Sequence, residues 1–243
     1  MNRNEYAIMY RVEDRHWWYT GLRGIVGLAW SRHIPAGARI LDVGCGTGAN
    51  LAAFRRKGEL FGIDFSPDAI RLCRLRMETK TAVATAIALP FVDESFDAVL
   101  SCDVLCHRSI IDKKAPLREM YRILRPGGIA VVNLPAYQWL YSSHDRFVHT
   151  DRRFTSKEVR DLLNATGFTA VYSSYWNTLL FPIAAVVRLW RKRRPPPASD
   201  LAGAAGDRRG AVLRGAMAFE RLIIRRVPMP FGLSVLVVAK KTD

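Results

Sequence analysis

Cysteine is scarce in this 243-residue chain, and its four residues, Cys45, Cys73, Cys102 and Cys106, form no C-x-x-C pair. Three of them lie in segments that read as regular core structure, which argues against a disulfide scaffold or a zinc knuckle. The first 23 residues hold no continuous apolar stretch and no small-residue cleavage site, so no secretory signal is read there and a cytoplasmic location is expected. No apolar run reaches the roughly 20 residues a spanning helix needs; the longest candidate, Leu179 to Trp190, is interrupted by Pro182 and Arg188. Acidic residues are also few: 22 against 37 basic ones give a formal charge of +15, which favours anionic partners without choosing among them. No internal repeat is visible.

With 49% hydrophobic residues the chain can bury one full core. The segments alternate. Arg39 to Val43 reads as a strand, followed by a glycine-rich turn and a helix over Ala49 to Lys57. Leu60 to Ile63 is a second strand, with Ser66-Pro67-Asp68 starting a helix to about Met77. Further strands follow at Thr81 to Ala84, Phe96 to Ser101, Ile129 to Leu134, Phe168 to Ser173 and Ser234 to Ala239. Helices are expected at Lys113 to Leu124 and from the Thr155-Ser156 cap to Gly167. The pattern predicts an α/β fold, a Rossmann-like doubly wound, mostly parallel seven-stranded sheet. An N-terminal helical lid (1–35) precedes the core (36–175), and an apolar and basic insertion (176–230) separates the core from its final strand (231–243).

The turn Gly44-Cys45-Gly46-Thr47-Gly48 lets backbone approach a ligand closely. Read as G-x-G-x-x-A, with Gly44, Gly46 and Ala49, it also satisfies a dinucleotide fingerprint, so an NAD(P) oxidoreductase stays open on this motif alone. The blocks LDVGCGTG, GIDFSP, LPFVDESFDAVLS and LREMYRILRPGG, between about residues 39 and 134, together resemble the class I S-adenosylmethionine-dependent methyltransferases. That resemblance implies that Asp42, Gly44, Cys45, Gly46 and Gly48 surround the methionine part of S-adenosylmethionine. It also implies that Asp64, 22 positions after Asp42 (64 minus 42), accepts hydrogen bonds from the ribose hydroxyls, and that Phe65 lies near the adenine. Thr85 and Ala86 stand where adenine contacts are expected, although many relatives carry an acidic residue at the position of Thr85.

Methyl transfer is an in-line displacement, so the protein must orient the acceptor and, for a hydroxyl, remove its proton. Candidates for that work are His107, after the fourth strand, and His144, Asp145 and His149, in the cluster after the fifth. Arg152 and Arg153 are candidate holders of phosphate or carboxylate, and Trp17 and Trp18 of the N-terminal HWW segment are candidate acceptor contacts under a lid. A metal ion is not expected. The HWW, HD…H…RRFT and PFGLSVLVVAKK segments resemble a bacterial subgroup linked to lipid or glycan assembly, implying a small-molecule or lipid-linked acceptor. Nucleic acid is the rival, disfavoured because Ser101-Cys102-Asp103-Val104 is neither N/D-P-P-Y nor Pro-Cys and no RNA-binding motif is appended. A non-catalytic cofactor-binding protein would need a degraded turn or ribose acid. Leu179 to Trp190 followed by Arg191 to Arg194 suits peripheral docking on an anionic membrane, or alternatively a cap on the acceptor pocket.

Overall fold

The computed structural model describes residues 3–77, 80–191 and 208–242. Two helices, α1 (Arg3–Val12) and α2 (Trp17–His33), come first. The core then runs β1 (Arg39–Val43), α3 (Ala49–Phe54), β2 (Glu59–Asp64), α4 (Pro67–Arg76), β3 (Lys80–Val83), β4 (Phe96–Cys102), α5 (Lys114–Ile123) and β5 (Leu124–Pro135). After it come the short α6 (Ser143–Phe147), α7 (Ser156–Asn164), β6 (Phe168–Trp176), α8 (Phe181–Arg191), α9 (Arg208–Ile224) and β7 (Ser234–Lys241).

The strands form a seven-stranded sheet in the order β3-β2-β1-β4-β5-β7-β6, with β7 antiparallel to both neighbours and the other pairings parallel. This is the expected mostly parallel, Rossmann-like sheet. Because successive strand residues face opposite sides, Leu41, Val43, Val99 and Val132 pack on one face with α5 and α7. Ile40, Ala98, Leu100 and Val131 pack on the other, under α2 and α9. The order reverses between β1 and β4, and at such a switch point the carboxyl ends of neighbouring strands diverge to leave a crevice for ligand.

Local chemistry sets the boundaries. Thr155 and Glu158 close a reciprocal capping box on α7, and the Ser66 hydroxyl accepts from Ala69 N at the start of α4. Arg125 to Gly128, expected as a break, instead bulges out of a strand that starts at Leu124: Phe96 pairs with Leu124, and Ala98 pairs next with Ile129. Among its described residues the insertion holds two helices, α8 and α9. Along α9, Met217 and Arg221 close onto α2 where Gly21 and Gly24 offer no side chain; a Cβ at these positions would lie 3.3 Å from Met217 Cγ and 3.0 Å from Arg221 Nη1. Of the basic run, Lys192, Arg193 and Arg194 lie outside the described residues.

Candidate active site

The glycine turn joins β1 to α3. Gly44, Gly46 and Gly48 all have positive φ (76°, 54° and 86°), which a Cβ makes costly. Space forbids one too: at Gly44 it would run into Val104 of the segment after β4, and at Gly48 it would meet Cys73 Sγ of α4. The turn is anchored to β2, since Gly44 N and Cys45 N both donate to Ile63 O (2.8 and 2.9 Å) and Gly46 N donates to Asp64 Oδ2 (3.0 Å). Gly62 of β2 leaves the room that Cys45 and Leu51 fill.

Asp42, last but one in β1, is 1% exposed, and neither carboxylate oxygen has a hydrogen-bond partner of good geometry. Burial pushes its carboxyl up to about 8, with nearby Asn50 opposing. A buried acid with two unmet acceptors beside a backbone cradle fits a ligand that brings an ammonium or several N–H donors, as the methionine end of S-adenosylmethionine does. Asp64, at the end of β2, is nearly buried and accepts from Ser66 N (2.9 Å) and Gly46 N, with Tyr6 Oη 3.5 Å away. Burial raises its carboxyl above the ordinary range. Oδ2, which accepts from Gly46 N alone, retains a lone pair for a ribose hydroxyl.

The structure brings Phe65, His107 and His149 together. The His107 ring lies 5.6 Å from that of Phe65 and stacks on His149 at 5.9 Å and 10°. Burial takes His107 down to about 4, so it is neutral near pH 7. Its Nδ1 accepts from Ser109 N (3.2 Å), which assigns the proton to Nε2, a buried atom with no partner. In this tautomer His107 offers a donor. His149 sits at φ 62°, and burial lowers its imidazole as well. Thr85 is exposed and Ala86 half-buried, beside the Thr85–Ala88 bridge after β3.

Asp145 and Arg153 form a separate centre. They are 2% and 3% exposed, with Arg153 Nη2 and Nε 2.8 and 2.9 Å from Asp145 Oδ1 and Arg153 Nη1 donating to Ala136 O (3.1 Å). Asp145 Oδ2 accepts from Ser142 N (2.8 Å) and from Arg188 Nη1 of α8 (3.2 Å). Arg153, followed by Arg188, holds the Asp145 carboxyl below its usual range against the effect of burial. His144 lies on the same short helix, half-buried. Arg152 is turned away toward α7, 2.6 Å from Glu158 Oε1. Among the described residues no cluster of three or more His, Cys, Asp or Glu is placed to hold a metal ion.

Trp17 and Trp18 start α2 and pack against the core, with the Trp18 ring 5.8 Å from Trp176. What lies over the glycine turn is α1 and the loop after it. A Cβ on Gly46 would sit 2.9 Å from Met9 Cε, and buried Glu13 bonds the Thr47 hydroxyl and Arg76 Nη2. Sequence reasoning missed Tyr6, Met9, Glu13 and Arg76. Glu13 stands in the same EDRHWW block, and an acid among aromatics was the signal available. It missed Asp103 and Asn133 too, the first directly after β4 and the second in β5. An open hollow of about 600 Å³ lined by Trp30, Arg55 and Lys57 lies before β1 and β2, at the opposite edge of the sheet.

Residues 41–132 match the family described as methyltransferase domain. The chain is 34% identical over 125 residues to demethylmenaquinone methyltransferase of Tropheryma whipplei (strain Twist), covering 50% of this chain and 48% of that protein. It is 32% identical over 151 residues to an O-methyltransferase of Aspergillus nomiae, covering 56% and 66%. The chain spans about half the length of the demethylmenaquinone methyltransferase it matches. In fold it resembles the chain solved in complex with the Haloferax volcanii Trm112 methyltransferase activator, with a TM-score of 0.64, 23% identity and 99% and 94% coverage. With the switch-point strand order, the three-glycine turn and the acids of β1 and β2, the family match marks residues 41–132 as a methyltransferase domain of the Rossmann-like, S-adenosylmethionine-dependent kind.

Proposed function

We propose that the protein transfers a methyl group from S-adenosylmethionine to an oxygen atom of a small-molecule or lipid-linked acceptor. S-adenosylmethionine supplies an electrophilic methyl carbon on a sulfonium. The chain's own residues do the rest: Asp42 meets the amino group, Asp64 the ribose hydroxyls and Phe65 the adenine side, while α1 with Glu13 shields the turn from water. The names of the relatives, a demethylmenaquinone methyltransferase and an O-methyltransferase, agree with an acceptor of this kind.

The observation that carries the lipid-linked reading is the two-sidedness of α8. Its inner face holds Phe181, Ala184 and Ala185 against Leu140 and Leu233, and Arg188 ties it to Asp145. Its outer face leaves Ile183 and Val186 each 68% exposed and Trp190 62% exposed, one stripe at helical spacing with the basic run of the sequence just beyond. No helix of the described residues is long and apolar enough to cross a bilayer, and the stripe has the composition of a helix lying at headgroup depth. The test is transfer of labelled methyl from S-adenosylmethionine into host extract separated into lipid, RNA, protein and small-molecule fractions. Label in a lipid or small-molecule fraction as an alkali-stable ether supports the reading. Label confined to RNA or protein contradicts it.

A further inference from the structure

We propose that Asp103 is the base that takes the acceptor's proton; this rests on the methyl-transfer reading above. Asp103 follows β4 directly, on the carboxyl side of the strand that borders β1 at the switch point. Its neighbour Val104 is the residue that crowds Gly44, so the corner it makes abuts the glycine turn at the methionine end of the crevice.

The corner is built and held. Asp103 has φ 59°, a left-handed conformation that a non-glycine residue keeps only when its surroundings impose it, and such residues gather at functional sites. Its N donates to Asn133 O (2.9 Å), and its O accepts from Cys106 Sγ (3.1 Å). Asn133 is fully buried in β5 and donates through Nδ2 to Asp103 Oδ1 (3.2 Å). The indole Nε1 of Trp176 can only donate, and it does so to Asn133 Oδ1 (2.8 Å), which fixes the amide with its NH₂ toward Asp103. One carboxylate oxygen is thereby oriented and the other is left for a ligand, in a residue that is half-buried.

The charge environment suits the task. Burial pushes the Asp103 carboxyl up to about 7, against the pull of Arg153 and of the Asn133 amide. The other titratable groups that interact with it are Tyr19 of α2, Cys102 and Cys106, and burial raises all three, so they stay protonated. His107, the other nearby base, has Nδ1 occupied by Ser109 N. In the step proposed, an acceptor hydroxyl gives its proton to Asp103 and the oxygen lone pair forms the new bond to the methyl carbon. The carbon–sulfur bond breaks with its pair going to sulfur. The products are a methyl ether, the thioether S-adenosylhomocysteine and protonated Asp103, which loses its proton to water.

The test needs no acceptor. Protein labelled with carboxyl-¹³C aspartate is titrated by NMR with saturating S-adenosylhomocysteine and, separately, with S-adenosylmethionine, and Asp103→Asn assigns the resonance. Asparagine tolerates the left-handed backbone, and Asp103→Gly serves if that variant does not fold. The two ligands differ by the methyl and its sulfonium charge, and a positive charge close to a carboxylate lowers its pKa by about 1–3 units. The expected result is a midpoint near 7 in the neutral complex that falls by about one unit or more in the cationic one, with S-adenosylhomocysteine affinity unchanged in Asp103→Asn. Equal midpoints in the two complexes would overturn the proposal while leaving the methyltransferase reading intact. Failure of both ligands to bind, measured on the same samples, would overturn both.

Discussion

Replacing Arg153 by alanine should cost stability before it costs chemistry. Arg153 and Asp145 are 3% and 2% exposed, and the guanidinium spends all three nitrogens on protein acceptors, with two contacts of 2.8 and 2.9 Å to one carboxylate oxygen. Removing one partner leaves Asp145 buried with only Arg188 and Ser142 to compensate, and breaking a buried pair in this way costs about 3–5 kcal/mol. For a chain of this length, about 2–4 °C of melting temperature is lost per kcal/mol, so a fall of roughly 6–20 °C is expected by thermal denaturation at pH 7. The double variant Arg153→Leu, Asp145→Leu should recover much of it, because both fully buried charges go together and Arg188, the charge that loses Asp145, is partly exposed. Acid should imitate the single variant. Asp145 is held below its usual range, so its contribution is present above the unfolded-state pKa and is lost as pH falls through the lower folded-state value. A melting temperature within about 1 °C of the parent for Arg153→Ala would refute this reasoning.

Asp42 titrates the other way: its carboxyl is near 8 without ligand, and an ammonium beside it would draw it down. Affinity for S-adenosylhomocysteine should therefore weaken about tenfold per pH unit below 8, with proton release on binding seen by calorimetry in two buffers of different ionisation enthalpy. Asp64→Ala should weaken the same ligand by roughly 10–100-fold, the loss of charge-assisted hydrogen bonds to two hydroxyls, checked by fluorescence titration. Glu13→Gln should speed both association and dissociation of the ligand in stopped flow, since it loosens the tie between the α1 loop, Thr47 and Arg76. Association with anionic vesicles on flotation should weaken with salt and be lost when Arg191 to Arg194 become serine; no association at low salt would remove the membrane part of the account.

The parallel core was legible because its signals are local. Apolar runs of four to seven residues, the Ser66-Pro67 and Thr155 to Glu158 caps and the glycines at positive φ each act within a few residues, and each lies where the pattern placed it. What escaped depends on contacts across the chain. Glu13 acquires its place through Thr47 and Arg76, 34 and 63 positions away, and α9 is positioned by Gly21 and Gly24 of α2, nearly 200 residues earlier. Asp103 looked like the unremarkable end of a strand, since neither its backbone conformation nor its Asn133 partner, 30 positions on, leaves a mark in the local sequence. The histidines and arginines of the second cluster were visible as a group, but only packing separates the crevice residues His107 and His149 from the buried Asp145–Arg153 centre.

Calorimetry of the purified protein with S-adenosylhomocysteine and with NADH tests the central claim most directly. The account predicts that S-adenosylhomocysteine binds at one site, that Gly46→Arg, which places a long side chain where Met9 already closes the turn, abolishes it in a still folded protein, and that NADH gives no heat of binding. Binding of NADH without S-adenosylhomocysteine would contradict it.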